Sequence, residues 1–269
     1  MGENNNNSNN NIENENGDSS MSILQHLEEL RNRLIKIFIA AAFGFAACYW
    51  KAEELLTILM KPLTEVLPEG SSLIFTGLTE GFFTELKVGL LAGVFLTSPY
   101  IIYQIWAFVS PALYKKERTI MIPVAFFSAL FFVGGACFGY FLVFPYGFKF
   151  LVGIFETDII QPLPSIKEYL SLATKMLIAF GVVFELPLVV LVLSRLGLVT
   201  HKTMRKYQKF AILGIFVVGA MLTPPDVFTQ MMMAGPLILL YEMSIWVAYF
   251  FGKKKDLIEE TEETSDEED

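Results

Sequence analysis

The chain has 269 residues, of which 54% are hydrophobic and 18% are charged, whereas soluble domains are typically about 45–50% apolar and about 25% charged. The apolar residues lie in long runs, which excludes an ordinary soluble fold and predicts an all-α integral membrane protein. The net charge of −8 comes from two tails, because residues 1–20 carry −4, residues 253–269 carry −6 and residues 21–252 carry about +2. The acidity therefore identifies no partner for the body of the protein, and we expect no nucleic acid partner.

Three segments follow from this distribution. The Asn-rich residues 1–20 are predicted to be a disordered tail, residues 21–252 a six-helix membrane domain, and residues 253–269 an acidic, disordered cytoplasmic tail. The first apolar run starts near Leu34 and lacks the short apolar core and small-residue cleavage site of a signal peptide. We expect it to be a retained first span.

Six membrane spans are predicted, at 34–50, 82–109, 120–144, 169–194, 210–222 and 227–250. The fifth has only 13 residues, about 20 Å if helical, which is less than the ~30 Å hydrocarbon core of a bilayer. Four residues, Thr223 to Asp226, join it to the sixth, so the two spans should form a tight antiparallel hairpin that thins the bilayer or stops short of the far surface.

The distribution of Lys and Arg predicts the orientation. Fourteen of these residues fall in loops on one side and four on the other, with Lys87 and Lys175 within or beside spans. Because cytoplasmic loops carry an excess of basic residues, both termini are expected on the cytoplasmic side of a multi-pass inner (cytoplasmic) membrane protein.

Glu185 lies in the apolar run IAFGVVFELPLVVLVL, two positions before Pro187. A carboxylate at this depth costs several kcal/mol unless it is neutral, paired or hydrated. It is either a protonated or hydrogen-bonded structural residue at a helix kink or a polar contact for a partner, a substrate or a water-filled cavity. Glu80, Glu85 and Lys87, at the start of the second span, are predicted to be interfacial charges that extend outward.

Two mixed charge clusters occur on the predicted cytoplasmic side, at 28–31 (EELR) and at 115–118 (KKER). Topology explains their basic residues but not their glutamates. These glutamates are either solvated charges or, if the clusters meet in the fold, an anionic patch suited to a guanidinium group, which binds carboxylates in a bidentate manner.

Enzymatic function is not indicated. The chain has no Gly-rich phosphate loop or Walker pattern and no recognisable pair of nucleophile and base. The two histidines, His26 and His201, lie in separate segments, and Cys48 and Cys137 are read as apolar fillers. We therefore expect no metal site and no cofactor.

Six segments, in order, resemble the TatC family, the multispanning subunit of the twin-arginine protein translocase. They are HLEELRNRL (26–34), KPL (61–63), TEGFFTELKV (79–88), YQIWAFVSPALYKKER (103–118), AFGVVFELP (179–187) and LTPPDVFTQ (222–230). The resemblance covers about 21–252. Any one segment is a weak signal, but six in series are specific.

The resemblance implies a cupped bundle of six transmembrane helices with both ends inside and with short fifth and sixth helices. It also implies binding of the twin-arginine signal peptides of folded proteins at the cytoplasmic face. Single-span partners of the TatA/TatB type, a homo-oligomer within the receptor complex and export driven by the proton-motive force belong to the same expectation.

The resemblance also assigns residues. Glu29 and Glu117 match the acidic residues that contact the paired arginines, and the rest of that surface is matched by Arg31, Phe108, Leu113, Tyr114 and Arg118. Glu185 matches an intramembrane glutamate, and Thr223 and Gln230 a polar site where a partner helix docks. Pro62 and Asp226 match functionally sensitive positions on the outer side.

Two other functions are considered. A proton-coupled small-molecule secondary transporter could use Glu185, although such carriers favour internal repeats and broken helices at the midplane, and no repeat is visible. An insertase-like or scaffolding membrane protein would show no dependence on paired arginines.

Overall fold

The computed structural model describes residues 6–68, 70–109, 121–155, 163–223 and 226–252. Within these residues the chain is helical, and the only pairing of extended segments is an isolated bridge between Ile74 and Ser165. The α-helices are α1 Asn6–Tyr49, α2 Ala52–Thr64, α3 Glu80–Val109, α4 Met121–Phe138, α5 Phe144–Phe155, α6 Ile166–Phe184, α7 Leu186–Arg195, α8 His201–Leu222 and α9 Val227–Phe251.

Helix α1 begins before the predicted membrane domain. Its backbone is helical from Asn6, so it extends into the segment 1–20 that the sequence predicts to be disordered; that stretch contains no proline to end a helix. The division into two tails and a membrane domain stays a prediction, and 253–269 lies outside the described residues.

Five helical stretches of the described chain are long and apolar enough to cross a membrane: Gln25–Tyr49, Glu80–Val109, Ile122–Ile154, Ile166–Arg195 and Val227–Phe251. The multi-helix membrane architecture is thereby supported, whereas the count of six crossings and the side of the termini stay predictions. Helix α8 is not among the five because its first nine residues are mostly polar, although its 22 residues extend about 33 Å.

Two details of the predicted spans are wrong. The sixth helix is not short, because α9 continues through an aromatic run to Phe251 and has 25 residues. The third span does not end at 144, because α4 passes through a π-helical turn, Gly139–Val143, into the apolar α5.

The segment predicted as a loop at 51–81 also contains a helix, α2. Its Leu56, Leu59 and Leu63 recur at helical spacing and are buried against the core.

Helices α1 and α3 pack along a seam of small residues. A Cβ atom added to Gly93 would lie 2.5 Å from the backbone nitrogen of Phe45, and one added to Gly44 would lie 2.5 Å from the carbonyl oxygen of Gly93. Only glycine allows two helix backbones to approach so closely. This seam fixes α1, which carries Glu29, against α3.

The core lies around α6. Leu170, Ala173 and Phe180 of α6 are at most 1% exposed, as are Phe144 of α5 and Met233 of α9. Helix α6 thus connects the outer helices to the hairpin formed by α8 and α9, and it leads directly to Glu185.

Candidate functional site

The predicted recognition surface begins where the N-terminal part of α1 meets the C-terminal end of α3. His26 stacks on Phe108 with ring centroids 4.4 Å apart and an angle of 17° between the planes. This contact places Phe108 near the Glu29 segment, and their membership of one recognition surface stays a prediction. Four other predicted members lie outside the described residues: Leu113, Tyr114, Glu117 and Arg118. Whether Glu29 and Glu117 meet therefore stays a prediction.

Glu29 is held by an arginine that the sequence reasoning did not assign to the site. The Nε and Nη2 atoms of Arg33 donate to Glu29 Oε1 at 2.9 and 2.6 Å, and its Nη1 donates to Gln104 Oε1 at 3.1 Å. Gln104 is buried in α3, so Arg33 links α1 to α3 and fixes the Glu29 carboxylate. The Glu29 side chain is 34% exposed, and its Oε2 accepts no hydrogen bond from the described residues.

Arg31 belongs to a different pair. Its Nη2 lies 3.7 Å from Oε1 of Glu28, and both side chains are about two-thirds exposed. Such exposed pairs contribute little to stability. Arg31 is therefore at the same surface as Glu29 but makes no described contact with it.

Glu185 lies at the break between α6 and α7. Pro187 is the second residue of α7 and cannot donate a backbone hydrogen bond, so one helix ends and another begins at this point. The Ser128 hydroxyl of α4 lies beside the Glu185 carboxyl group, and it accepts a 2.8 Å hydrogen bond from Nε1 of Trp106 in α3. The carboxyl oxygen Oε1 of Glu185 is buried with no hydrogen-bond partner among the described residues. Glu185 thus retains an unsatisfied acceptor in an apolar region.

The two residues predicted to dock a partner helix, Thr223 and Gln230, both use part of their side chains for hydrogen bonds within the α8–α9 hairpin. Thr223 is buried and donates from Oγ1 to the Gly219 carbonyl at 2.9 Å. Gln230 donates from Nε2 to the Phe216 carbonyl at 3.0 Å, which joins α9 to α8. The amide oxygen of the Gln230 side chain makes no hydrogen bond with the described residues, and the docking role of this residue stays a prediction.

Asp226 caps the N-terminus of α9. Its Oδ1 accepts a 2.7 Å hydrogen bond from the Thr229 backbone, and its Oδ2 accepts one from the Thr229 hydroxyl. A carboxylate at this position satisfies helix N–H groups and favours the positive end of the helix dipole. Its described role is therefore structural.

Pro62 lies inside α2, where it removes the hydrogen bond to the carbonyl four residues earlier. That carbonyl, of Ile58, accepts a hydrogen bond from the Tyr140 hydroxyl at 2.5 Å. The next carbonyl, of Leu59, accepts one from Tyr169. Two tyrosines from separate helices thus bind the stretch of α2 that proline disrupts.

Glu80 does not extend outward, which corrects the interfacial placement predicted for it. It is 8% exposed, and its Oε2 accepts hydrogen bonds from Thr76 N, Thr76 Oγ1 and Gly77 N at 2.7–2.9 Å. Its Oε1 accepts from Lys167 N at 2.9 Å and Ser165 Oγ at 3.3 Å. Glu80 therefore joins the segment before α3 to the start of α6.

Three polar residues important to these sites were missed: Arg33, Gln104 and Ser128. Gln104 and Ser128 each interrupt an apolar run, as Glu185 does, and the same criterion would have identified them. Among the described residues, no cluster of three or more His, Cys, Asp or Glu could hold a metal ion.

The chain is similar over most of its length to proteins of one family. The family described as "Sec-independent protein translocase protein (TatC)" matches residues 25–236. A protein of that name from Desulforapulum autotrophicum is 54% identical over 236 residues, which is 88% of this chain and 87% of the relative. The one from Escherichia coli K12 is 37% identical over 237 residues, 88% of this chain and 92% of the relative.

A solved structure named "Crystal Structure of Twin Arginine Translocase Receptor- TatC" is similar to the chain with a TM-score of 0.76 and 40% identity, covering 83% of this chain and 98% of that one. A second, of the same receptor in DDM, has a TM-score of 0.77 and 41% identity, covering 83% and 99%. The sequence match and the shared helical arrangement agree, and the chain belongs to the TatC family of Sec-independent protein translocase proteins.

Proposed function

We propose that this protein is the receptor subunit of its translocase and binds twin-arginine signal peptides of folded proteins at the cytoplasmic face. Membership of the TatC family makes it a non-enzymatic component of Sec-independent protein transport. The similar solved structures are named as twin-arginine translocase receptors. The observation that carries the proposal is the Glu29 carboxylate, which is held through Oε1, accepts no hydrogen bond at Oε2 from the described residues and belongs to a side chain that is 34% exposed.

The chemistry of Glu29 suits a guanidinium ligand. Arg33 fixes Oε1 and is itself hydrogen-bonded to buried Gln104. The carboxylate is therefore already ordered before a ligand binds, which reduces the entropy cost of binding. Its free Oε2 can accept a charge-assisted hydrogen bond from a signal-peptide arginine. Glu117 would supply the second acidic contact for the paired arginines, and Phe108, with its His26 partner, an apolar border.

The remaining predicted roles form the second part of the proposal. Both termini lie in the cytoplasm of a six-span protein of the inner membrane, and single-span partners of the TatA/TatB type dock near Thr223 and Gln230. The unsatisfied Oε1 of Glu185 supports a polar contact inside the membrane with a partner or signal peptide. Several copies assemble in the receptor complex, and export draws on the proton-motive force.

Binding of a labelled twin-arginine peptide to the purified full-length protein tests the receptor role. The parent protein should bind it at least about tenfold more tightly than the same peptide with paired lysines, since Arg forms bidentate contacts that Lys cannot. The double variant Glu29→Ala, Glu117→Ala should lose about tenfold or more, because each charge-assisted hydrogen bond contributes about 1.5–3 kcal/mol before solvent screening.

The matched control is Glu28→Ala, which removes an exposed glutamate from the adjacent position and should leave affinity unchanged. Equal binding of the peptide by the double variant and by the parent would refute the site assignment. Crosslinking from positions 29, 117 and 223 to the signal peptide and to single-span partners tests the placement of each ligand.

The transporter alternative is not favoured by the family to which the chain belongs. It would require uptake of a small solute by vesicles that contain this chain alone, with loss of uptake in Glu185→Gln.

A further inference from the structure

A groove of about 680 Å³ lies beside the first turns of α6, within the usual size range of ligand pockets. Side chains from α2, α5, α6 and the end of α8 line it. Its two charged lining residues, Glu168 and Lys175, both come from α6, and neither belongs to a site described above. We refer to it as the α6 groove.

Lys175 is an unusual residue for its position. Its side chain is exposed and lies within the stretch Ile166–Arg195, which is long and apolar enough to cross a membrane. It forms no hydrogen bond or ion pair with the described residues. Ionisable residues inside membrane spans are rare and usually have a partner, so the Lys175 ammonium group is free to bind an anionic group in the groove.

The depth of Lys175 matches the phosphate layer of a bilayer. Arg195 ends the same helical stretch, about 30 Å from Lys175 along the helix axis, which is the usual thickness of the hydrocarbon core. With Arg195 at one boundary of the core, Lys175 lies at the other. A lysine at that level extends its ammonium group to the lipid headgroups.

Glu168 lies further out on the same face of α6. Glu168, Ser171 and Lys175 recur at positions i, i+3 and i+7, and all three side chains are exposed. Glu168 is about 10 Å beyond Lys175 along the axis, and the flexible lysine side chain can extend outward and shorten this separation. The Glu168 carboxylate accepts no hydrogen bond from the described residues. The groove therefore presents a cation at the phosphate level and an anion above it.

Apolar surface continues from Lys175 towards the middle of the membrane. Ile178 and Val182 follow at positions i+3 and i+7 and are 40% and 57% exposed. Within the groove, Leu151 of α5 and Leu172 of α6 add apolar lining. A ligand with its anionic group at Lys175 therefore has an apolar path along α6 for a hydrocarbon chain.

We infer that the α6 groove binds a zwitterionic phospholipid with a primary ammonium group, of the phosphatidylethanolamine class. The phosphate contacts Lys175, the ammonium group donates to Glu168, and one acyl chain lies along Ile178 and Val182. The quaternary ammonium of phosphatidylcholine has no N–H to donate, and phosphatidylglycerol has no cation for Glu168. The assignment to the outer leaflet rests on the orientation proposed above, whereas the site requires only that α6 crosses the membrane and does not depend on the receptor function.

A transmembrane helix of a partner protein is the competing occupant, because Thr223, a predicted docking residue, also lines the groove. Such a helix would cover Ile178 and Val182 as well as an acyl chain does. It would also have to carry an acidic and a basic side chain at the depths of Lys175 and Glu168. A phospholipid headgroup of this class carries both charges in that order, which favours the lipid.

Native mass spectrometry of the purified full-length protein tests the site with phosphatidylethanolamine, phosphatidylcholine and phosphatidylglycerol that carry the same acyl chains. The parent should retain phosphatidylethanolamine at least about threefold more strongly than either of the others, because only its ammonium group forms a charge-assisted hydrogen bond with Glu168. Lys175→Gln should lower this retention about fivefold, the usual contribution of one basic residue near a membrane surface. Glu168→Gln should reduce phosphatidylethanolamine to the level of phosphatidylcholine.

The matched controls are Lys167→Gln and Glu53→Gln. Lys167 is exposed next to Glu168 but does not line the groove, and Glu53 is exposed on α2. Both variants should retain phosphatidylethanolamine like the parent. Equal losses in Lys167→Gln and Lys175→Gln would overturn the proposal, and so would an unchanged lipid preference in Glu168→Gln.

Two further measurements separate the possible occupants. Glycerophosphoethanolamine, which has the same headgroup without acyl chains, should not displace the lipid; displacement at equal concentration would show a site for soluble phosphodiesters instead. A photocrosslinking residue at position 171 should form mainly phospholipid adducts in native membranes. Adducts mainly with a protein would make a partner helix the occupant and overturn the proposal.

The groove and the receptor function are tested separately. Twin-arginine peptide binding by Lys175→Gln should equal that of the parent, because Lys175 lies outside the Glu29 surface. Loss of peptide binding in the Glu29→Ala, Glu117→Ala variant concerns the receptor alone. Loss of phosphatidylethanolamine in Lys175→Gln concerns the groove alone.

Discussion

The Tyr140 hydroxyl donates to the carbonyl oxygen of Ile58 at 2.5 Å, and this is the carbonyl that Pro62 deprives of its helical partner. A proline inside a helix ordinarily leaves an acceptor unsatisfied. Here the acceptor becomes the attachment point of another helix. The family resemblance predicts that Pro62 is a functionally sensitive position. The hydrogen bond that connects the π-helical turn to the carbonyl freed by Pro62 in α2 gives this sensitivity a structural explanation.

We expect Tyr140→Phe to lower the free energy of unfolding by about 1–3 kcal/mol, the usual cost of an unsatisfied polar group. In a Pro62→Ala background the loss should be smaller, because the alanine N–H can satisfy Ile58 within the helix. A double-mutant cycle of denaturant unfolding in detergent measures this coupling. Equal losses in both backgrounds would contradict the explanation.

The seam between α1 and α3 should not tolerate an added methyl group. Gly93→Ala would place Cβ 2.5 Å from the backbone of Phe45, so we expect a loss of at least about 1–3 kcal/mol from the overpacked contact. Gly134→Ala is the control, because its Cβ would meet no atom within 4 Å. Thermal unfolding in detergent compares the two, and similar midpoints would count against the seam.

Removal of the Glu80 charge should loosen two outer segments together. Glu80→Gln keeps the shape but replaces one acceptor oxygen with a donor, so several of its hydrogen bonds to Thr76, Gly77 and Lys167 are lost. Hydrogen exchange should increase at both 74–79 and 163–167. Exposed Glu53→Gln is the control, and an increase confined to one segment would show that Glu80 does not join them.

We expect Glu185 to lower the unfolding stability of the protein and to be needed for export. Replacing its carboxyl group with an amide, in Glu185→Gln, keeps a polar group of the same shape but removes the possibility of a charge in an apolar region, so we expect unfolding stability to stay equal or to rise. Export of a twin-arginine reporter should fall at least several-fold. A variant that loses stability but exports normally would assign Glu185 a structural role.

Arg33 should act on peptide binding through Glu29. Arg33→Lys keeps the charge, but an ammonium group cannot reproduce the planar fork that reaches both Glu29 and Gln104. We expect affinity for a twin-arginine peptide to fall several-fold, with no change in the control Arg205→Lys, which makes the same substitution in α8, where Arg205 pairs with Glu242 away from the Glu29 surface. Equal affinities of the two variants would indicate that the orientation of Glu29 does not depend on Arg33.

Sequence patterns predicted what depends on local composition. Five of the six predicted apolar runs coincide with helices that can span a membrane, whereas the roles that the family resemblance assigns to Glu29 and Glu185 stay predictions. The polar residues at the start of α8 can also be recognised in the sequence, because they lower the hydropathy of that helix.

Contacts between distant residues could not be predicted in this way. Arg33 and Gln104 are 71 positions apart, and Tyr140 and Ile58 are 82 apart. Each contact depends on how the helices are arranged around one another. The spacing of apolar residues along a single helix does not specify that arrangement. Glu80 was misplaced for the same reason, since two of its partners come from the start of α6.

The cap formed by Asp226 has a consequence for insertion of the α8–α9 hairpin. Residues 210–252 contain no Lys or Arg, so Asp226 is the only charge in the turn between the two helices. In the orientation proposed above, the hairpin carries this negative charge outward, in the direction that an inside-negative membrane potential favours by about 2.3 kcal/mol per 100 mV. The residue that caps the N-terminus of α9 is thus also one whose movement across the membrane the electric field favours.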